Sequence, residues 1–312
     1  MTVVTGESDA TRAYDVLVVG SANADLAVRV DRRPGAGETV LGTDLVESAG
    51  GKGANQAAAA ARLGARTALL ARVGDDAYGE LLLDAQRSAG TDVRHVRVEG
   101  GARTGTAMIV VGPDGDNAIV VSPGANARLS PDDVAAAAPL FAASAVVSLQ
   151  LEVPPATVRA AAALAGEAGA RVVFNPSPVP DALDPELLAA ADPLVVNEHE
   201  ARLLSGDAAG SAADRARVLR ERGARSVVVT LGGEGALALD GTAPEPVAVP
   251  GVAVRAVDTT GAGDAFTGAL AAQLAGGAPL VEAVRFAVRV GAASVTRPGA
   301  QSSYPSPDEL PS

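Results

Sequence analysis

The sequence predicts an α/β protein with a doubly wound, mostly parallel sheet, helices on both faces and a small β-sheet lid beside it. Three observations predict it. Short apolar runs rich in Val and Leu alternate with helical patterns, the order that builds a parallel sheet. Several of those runs are apolar throughout rather than at every second residue, as strands covered on both faces are. Two stretches break the alternation and read as hairpins.

Strands are expected at Asp15–Gly20, Thr67–Val73, Ala145–Leu151, Arg171–Phe174, Leu194–Val196 and Ser226–Leu231. Helical patterns cover Gly53–Leu63, Tyr78–Ser88, Pro155–Ala168, Pro185–Ala191, Ala212–Arg222 and Asp264–Leu274. One hairpin is residues 24–49, with Gly35 and Gly37 between its arms. The other is residues 102–122, where Thr106–Val111 and Ala118–Val121 flank a Pro113-Asp114-Gly115-Asp116 turn. The expected division is a core over 14–23, 50–101 and 123–304, a lid over 24–49 and 102–122, and flexible tails at 1–13 and 305–312. The chain from Pro298 is Pro- and Ser-rich and is expected to be irregular after Tyr304.

Composition removes whole classes of function. A net charge of -12 argues against nucleic acid and against an anionic membrane surface. Any phosphate site must then be built locally, from backbone N–H groups and a metal. There is no Cys, hence no disulfide and no thiolate nucleophile. His95 and His199 are the only histidines, which excludes His-based zinc sites and most Ser-His-Asp schemes. Residues 1–13 lack the apolar block of an export signal. The uncharged stretch Val134–Leu151, broken by Pro139 and serines, reads as a helix end, a loop and a buried strand rather than a membrane span. A cytoplasmic location is expected.

Ligands of a doubly wound sheet gather at the carboxyl ends of its strands, and the chemistry-bearing segments fall there. The run Asp258-Thr259-Thr260-Gly261-Ala262-Gly263-Asp264-Ala265-Phe266 opens a helix with two glycines and an acid. Free N–H groups of a first helical turn attract anions, and an acid beside a bound phosphate can act as a base. The pairing suggests phosphoryl transfer from a nucleotide to a hydroxyl. Gly20-Ser21-Ala22-Asn23-Ala24-Asp25 is a strand exit rich in turn formers, or a polyol site in which Asn and Asp meet neighbouring hydroxyls. Gly50-Gly51-Lys52-Gly53-Ala54-Asn55 lacks the Ser or Thr of a Walker loop. Lys52 and Asn55 in the first turn of an apolar helix favour a ligand-binding turn over a plain helix start. Glu152 follows a strand and faces either the crevice or solvent. Asn197 and Glu200 either complement a helix dipole or hold Mg2+ through water. Thr230-Leu231-Gly232-Gly233-Glu234-Gly235 is a Gly-rich turn suited to cradling a nucleotide.

In combination these segments resemble the PfkB carbohydrate kinases, from about residue 15 to 303. GSANAD at 20–25, GGKGANQA at 50–57 and DTTGAGDAF at 258–266 carry most of the resemblance. NPSP at 175–178, NEHE at 197–200, TLGGEG at 230–235 and TRPGAQ at 296–301 agree in order and spacing. The resemblance implies that Asp264 is the catalytic base and that the N–H groups of Gly261, Ala262 and Gly263 form an anion hole. It implies a sugar held by Asn23, Asp25, Gly51, Lys52, Asn55, Glu152 and Asp264. It places ATP at Asn197, at Thr230, Leu231, Gly232, Gly233, Glu234 and Gly235, and at Gly263, with Glu200 near Mg2+. Asp258, Thr260, Ser294, Arg297, Gly299 and Ser303 would hold a monovalent cation, K+, mostly through backbone carbonyls. The two hairpins would form the family's lid, which also makes a homodimer contact.

Physical arguments extend these roles. A base at a helix N-terminus is expected to stay ionised and therefore weak, which a loose phosphoryl-transfer transition state tolerates. Val288, where a polar residue is expected near the adenine, points to apolar base contacts. The lid segments contain no aromatic residue, which disfavours a nucleoside acceptor. Asn23, Asp25, Asn55 and Glu152 form a dense polar set for a small polyol, and D-ribose, phosphorylated on its 5-hydroxyl, is the expected substrate. Fructose, 2-deoxyribose and a sugar phosphate are the alternatives. A non-catalytic sugar sensor would be expected to lose Asp264 or its glycines. A dinucleotide-dependent oxidoreductase would need a G-x-G-x-x-G after Val19, which is absent.

Overall fold

The computed structural model describes residues 12–310 apart from Gly115 and Thr242. The chain begins β1 (Tyr14–Val19), β2 (Asn23–Arg29), β3 (Val46–Gly50), α1 (Lys52–Arg62), β4 (Thr67–Gly74), α2 (Ala77–Ala89), β5 (Val96–Glu99), β6 (Gly105–Val111) and β7 (Asn117–Ser122). It continues α3 (Pro131–Ala136), α4 (Ala138–Ala142), β8 (Ser144–Leu149), α5 (Pro155–Glu167), β9 (Arg171–Phe174), α6 (Pro185–Ala190), β10 (Ala191–Asn197), α7 (Glu198–Ser205) and α8 (Ala212–Glu221). It closes with β11 (Val227–Thr230), β12 (Gly235–Leu239), β13 (Val247–Pro250), α9 (Ala262–Ala275) and α10 (Leu280–Ser294).

Nine strands form one sheet in the order β13-β12-β11-β10-β9-β8-β1-β4-β5. The pairs from β5 to β11 are parallel, and only β12 and β13 run antiparallel at one edge. Val16, Leu17, Val18 and Val19 at its centre are wholly buried, their side chains alternating between two cores. The Ala-rich face of α1 joins α9 and α10 on one side, and α5, α6, α7 and α8 cover the other. Each such buried Val or Leu contributes about 1.5–3 kcal/mol, so the sheet is a rigid base for the loops above it.

The chain reverses its direction of growth at β1. It passes first to β4 on one side and later to β8 on the other, which makes the β1/β8 boundary the topological switch point. The exits of these two strands, Gly20–Asp25 and Gln150–Glu152, therefore flank the crevice.

Four strands form a second, smaller sheet in the order β3-β2-β6-β7. Strands β2 and β6 pair in parallel, and the two outer pairs are antiparallel hairpins. Gly115 of the predicted turn lies outside the described residues. This sheet leaves much of its apolar surface open: Val46, Met108, Ile119, Val120 and Val121 are exposed, as is Leu41 in the connection between β2 and β3, to 93%.

Several elements differ from the sequence reading. Helix α10 was not among the helices expected, since four valines, Phe286 and Gly291 are spread through its better helix formers. Its buried face, Ala283, Val284, Ala287, Val288 and Val290, nevertheless repeats with helical spacing. The short α4 occupies the predicted loop before β8. Of the tail regions, residues 1–11 lie outside the described part. Tyr304 is fully buried, and a short 3-10 turn at Pro307–Glu309, closed by a Ser306/Glu309 capping box, replaces the irregular stretch expected after it. No helix among the described residues is long and apolar enough to cross a membrane.

Candidate active site

The switch point is bridged by a carboxylate. Glu152 Oε2 accepts from Ser21 Oγ at 2.5 Å and from the Lys52 N–H at 3.0 Å, with Asn23 Nδ2 at 3.5 Å. One side chain thus ties the exits of β1 and β8 to the start of α1. Asn126 fixes the other side of the exit: its Nδ2 donates to Asn23 Oδ1 at 2.7 Å, and its Oδ1 accepts from the Ala22 N–H at 2.9 Å. Gly51, at φ +87, makes the turn possible, and a Cβ there would lie 2.7 Å from the Asn23 nitrogen.

Helix α9 delivers the acid from the opposite side. Gly261 caps it in the left-handed region at φ +71, where a Cβ would meet the Tyr304 hydroxyl at 2.6 Å. The Ala262 N–H donates to Thr259 O at 3.2 Å, while among the described residues no such partner is seen for the N–H groups of Gly261 and Gly263. Gly263 has nothing within 4 Å of the place a Cβ would occupy. Open space and unspent donors therefore coincide at the helix start.

Asp264 is buried, yet it borders a polar cavity of about 150 Å³ with Lys52, Asn197, Glu200 and Thr267. Its oxygens accept from Asn55 Nδ2 at 2.9 Å and Gln56 Nε2 at 3.0 Å. Burial raises its pKa, Lys52 and the two amide donors oppose that, and the net shift is upward. The expected weak, dipole-held base is corrected here. Desolvation outweighs the helix end, and the group is a better proton acceptor than an exposed aspartate. Asp25 is raised to about 7 by burial, then by the charges of Glu152 and Asp264. Burial disfavours the charge on Lys52, but Asp264, Glu152 and Glu200 more than offset it and its pKa rises. No ion pair of Lys52 is seen among the described residues.

A second cleft of about 330 Å³ adjoins the first, lined by Gly233, Val252, Val254, Phe266, Val288 and Val295 among others. Thr230, Thr259, Ala262 and Gly263 line both spaces. An apolar slot suited to a flat base thus opens into a polar chamber at the helix that carries the acid.

These features have counterparts in known proteins. Residues 13–307 match the pfkB family carbohydrate kinases. The chain belongs to that family. Ribokinase from Mus musculus is 40% identical over 304 residues, covering 96% of this kinase and 94% of that protein. Deoxyribokinase from Salmonella typhi is 37% identical, covering 95% and 97%. The structure of Arabidopsis thaliana ribokinase complexed with ribose and ATP aligns with a TM-score of 0.87 at 32% identity, covering 95% of this kinase and 97% of that chain.

The structure gathers Asn23, Gly51, Lys52, Asn55, Glu152 and Asp264 around the switch point, with Asp25 within electrostatic reach. Of the Gly-rich turn, Thr230, Gly232, Gly233 and Gly235 line the apolar cleft, whereas Leu231 packs on the core and Glu234 is exposed. Asn197 and Glu200 form a capping box on α7: Asn197 Oδ1 accepts from the Glu200 N–H, and Glu200 Oε2 from the Asn197 N–H. Glu200 still borders the polar cavity, and no group of three or more His, Asp or Glu suited to a metal occurs among the described residues. Asp258 ties two loops together, accepting from the Thr260 N–H and hydroxyl and from the Gly299 N–H. Those hydrogen bonds overcome its burial and lower its pKa. Ser294 and Ser303 are buried nearby in chain terms and spend their hydroxyls on Gly291 O and Ala300 O, which leaves carbonyls as their contribution to any ion. Arg297 pairs with Glu309. Sequence reasoning gave no role to Asn126, Gln56, Thr267 or Gln301. For Gln56 and Gln301 the signal was there, since both lie within a quoted motif.

Proposed function

We propose that this kinase transfers the γ-phosphoryl group of ATP to the 5-hydroxyl of D-ribose, giving ribose 5-phosphate and ADP. The observation that carries this is the position of Asp264, buried beside the polar chamber and next in the chain to Gly263, which the chamber shares with the apolar slot at a helix start with room for an anion. Ribose would sit against Asn23, Asp25, Lys52, Asn55 and Glu152, its hydroxyls donating to the carboxylates. The adenine would lie between Val288, Phe266 and Val252, with the phosphates directed over Gly263. Asp264 takes the proton of the 5-hydroxyl as its oxygen bonds to the γ-phosphorus and the bond to the ADP oxygen breaks. The N–H groups of Gly261 and Gly263 meet charge developing on the transferred group.

Glu200 is suited to hold a water of a nucleotide-bound Mg2+, whose chemistry is to neutralise phosphate charge. Carbonyls of the loops joined by Asp258, together with Thr260, Ser294, Arg297, Gly299 and Ser303, suit a K+ that would stiffen the anion-hole turn. The small sheet, residues 24–49 and 102–122, is read as a lid over the core, and its open apolar face as the contact of a homodimer. A cytoplasmic location fits this activity.

The deoxyribokinase relative favours one second reading, 2-deoxyribose as acceptor. A panel of ribose, 2-deoxyribose, fructose and ribose 5-phosphate, followed by ADP release, tests the choice. Ribose is expected to give the highest kcat/KM, and a clear preference for another sugar overturns it.

A further inference from the structure

The Asp264 carboxylate is gripped from both sides. A carboxylate only accepts, so Asn55 and Gln56 must both turn their NH2 groups toward it. Each then presents its own carbonyl oxygen outward, and each oxygen meets a further donor. Asn55 Oδ1 accepts from Gln301 Nε2 at 3.0 Å, and Gln301 Oε1 accepts from Gln86 Nε2 at 3.1 Å. Gln56 Oε1 accepts from Ser148 Oγ at 2.8 Å and Gln150 Nε2 at 2.5 Å. Every member is buried. Donation runs one way along both branches, toward Asp264, so each bond polarises the next. The members come from α1, α2, the end of β8 and the turn after Gly299, four separate parts of the chain. None of the four glutamines lines either cavity.

We propose that Gln56 and Gln301 are positioning residues for the phosphoryl-transfer base. Gln56 holds one carboxylate oxygen directly. Gln301 acts through Asn55, locking the amide orientation that holds the other. The proposal rests on the reading of Asp264 as the base. Without Gln301, the Asn55 amide is free to rotate and set its oxygen against the carboxylate, which turns Asp264 from the chamber. Both branches also stabilise the ionised form against the burial that opposes it. The other charged groups facing this carboxylate are Lys52 from α1, which supports the ionised form, and Glu152, which opposes it. Glu200, Asp25 and the Tyr304 hydroxyl belong to the same field.

The test compares Gln56→Met, Gln301→Met and Gln86→Met, near-isosteric changes that delete the relay without adding charge. Two measurements are made on the full-length chain. One is steady-state kinetics on the sugar the wild type prefers. The other is a 13C-NMR titration of the Asp264 carboxyl without sugar, which does not depend on any activity. Gln56→Met and Gln301→Met are expected to lower kcat about tenfold or more while KM for the sugar stays within about threefold. Both should move the Asp264 titration to higher pH, and Gln86→Met, one link further out, should do so by less. Unchanged kcat together with an unchanged titration in folded Gln301→Met overturns the proposal. If that variant does not fold, the same result in Gln86→Met and Gln56→Met overturns it. A wild type inactive on every sugar, with the titration shifts present, would instead refute the kinase reading and leave the relay standing.

Discussion

Asp25 gives the sharpest consequence of the site's electrostatics. Its carboxyl is raised from 3.8 to about 7, chiefly by burial and then by Glu152 and Asp264. Sugar hydroxyls donating to it would favour the ionised form. With a pKa of about 7 the ionised fraction is roughly one-tenth at pH 6 and roughly nine-tenths at pH 8, so ribose should bind about tenfold more tightly at pH 8. Binding at pH 7 should release about half a proton. Isothermal calorimetry in buffers of different ionisation enthalpy reads both quantities. The same shift bears on stability with a definite sign. Between about pH 4 and pH 7 the native state holds a proton that the unfolded chain has lost, so stability falls as pH rises through that window and levels above it. A move of that size corresponds to about 4 kcal/mol. Asp25→Asn should therefore unfold at higher urea than the wild type at pH 8, lose most of that advantage at pH 4, and bind ribose weakly at every pH. Ribose affinity that is flat from pH 6 to 8, with no proton released, would refute the reasoning.

Two other perturbations separate binding from folding. Lys52→Ala should cost sugar or nucleotide affinity tenfold or more by calorimetry and lower Tm by less than a core truncation would, because the ammonium is favoured by Asp264, Glu152 and Glu200 but forms no close ion pair among the described residues. Gly263→Ala should also fold normally, since its Cβ enters open space, but it should weaken ATP binding because that space joins the two cavities. Gly261→Ala should instead lower Tm, since both its positive φ and the Tyr304 hydroxyl oppose a side chain.

Much of this arrangement was legible in the residues. Apolar strands such as Val16–Val19 read as buried on both faces because they are, and the hairpins read as a separate sheet because they interrupt the strand–helix alternation, although β7 is exposed along its whole length rather than on one face. The crevice followed from where the polar motifs stood relative to strand ends. What did not follow depended on long-range packing. Helix α10 does carry helical spacing on its buried face, but its valines and Gly291 weaken the local preference, and its packing against α9 is long-range. The protonation balance of Asp264 was misjudged for a related reason: helix position is local, but burial is imposed by α1 and the C-terminal turn. Gln301 lies 246 positions from Asn55 along the chain, and only the fold brings the pair together.

Asp264→Asn tests the central claim most directly. Asparagine preserves size but cannot take a proton, and its NH2 requires Asn55 or Gln56 to turn an oxygen toward it. Measured beside the wild type, the variant should bind ribose with an affinity within a few fold while kcat falls about 10²–10⁴-fold. Turnover near that of the wild type, in a variant that still binds sugar, would contradict the assignment of the base.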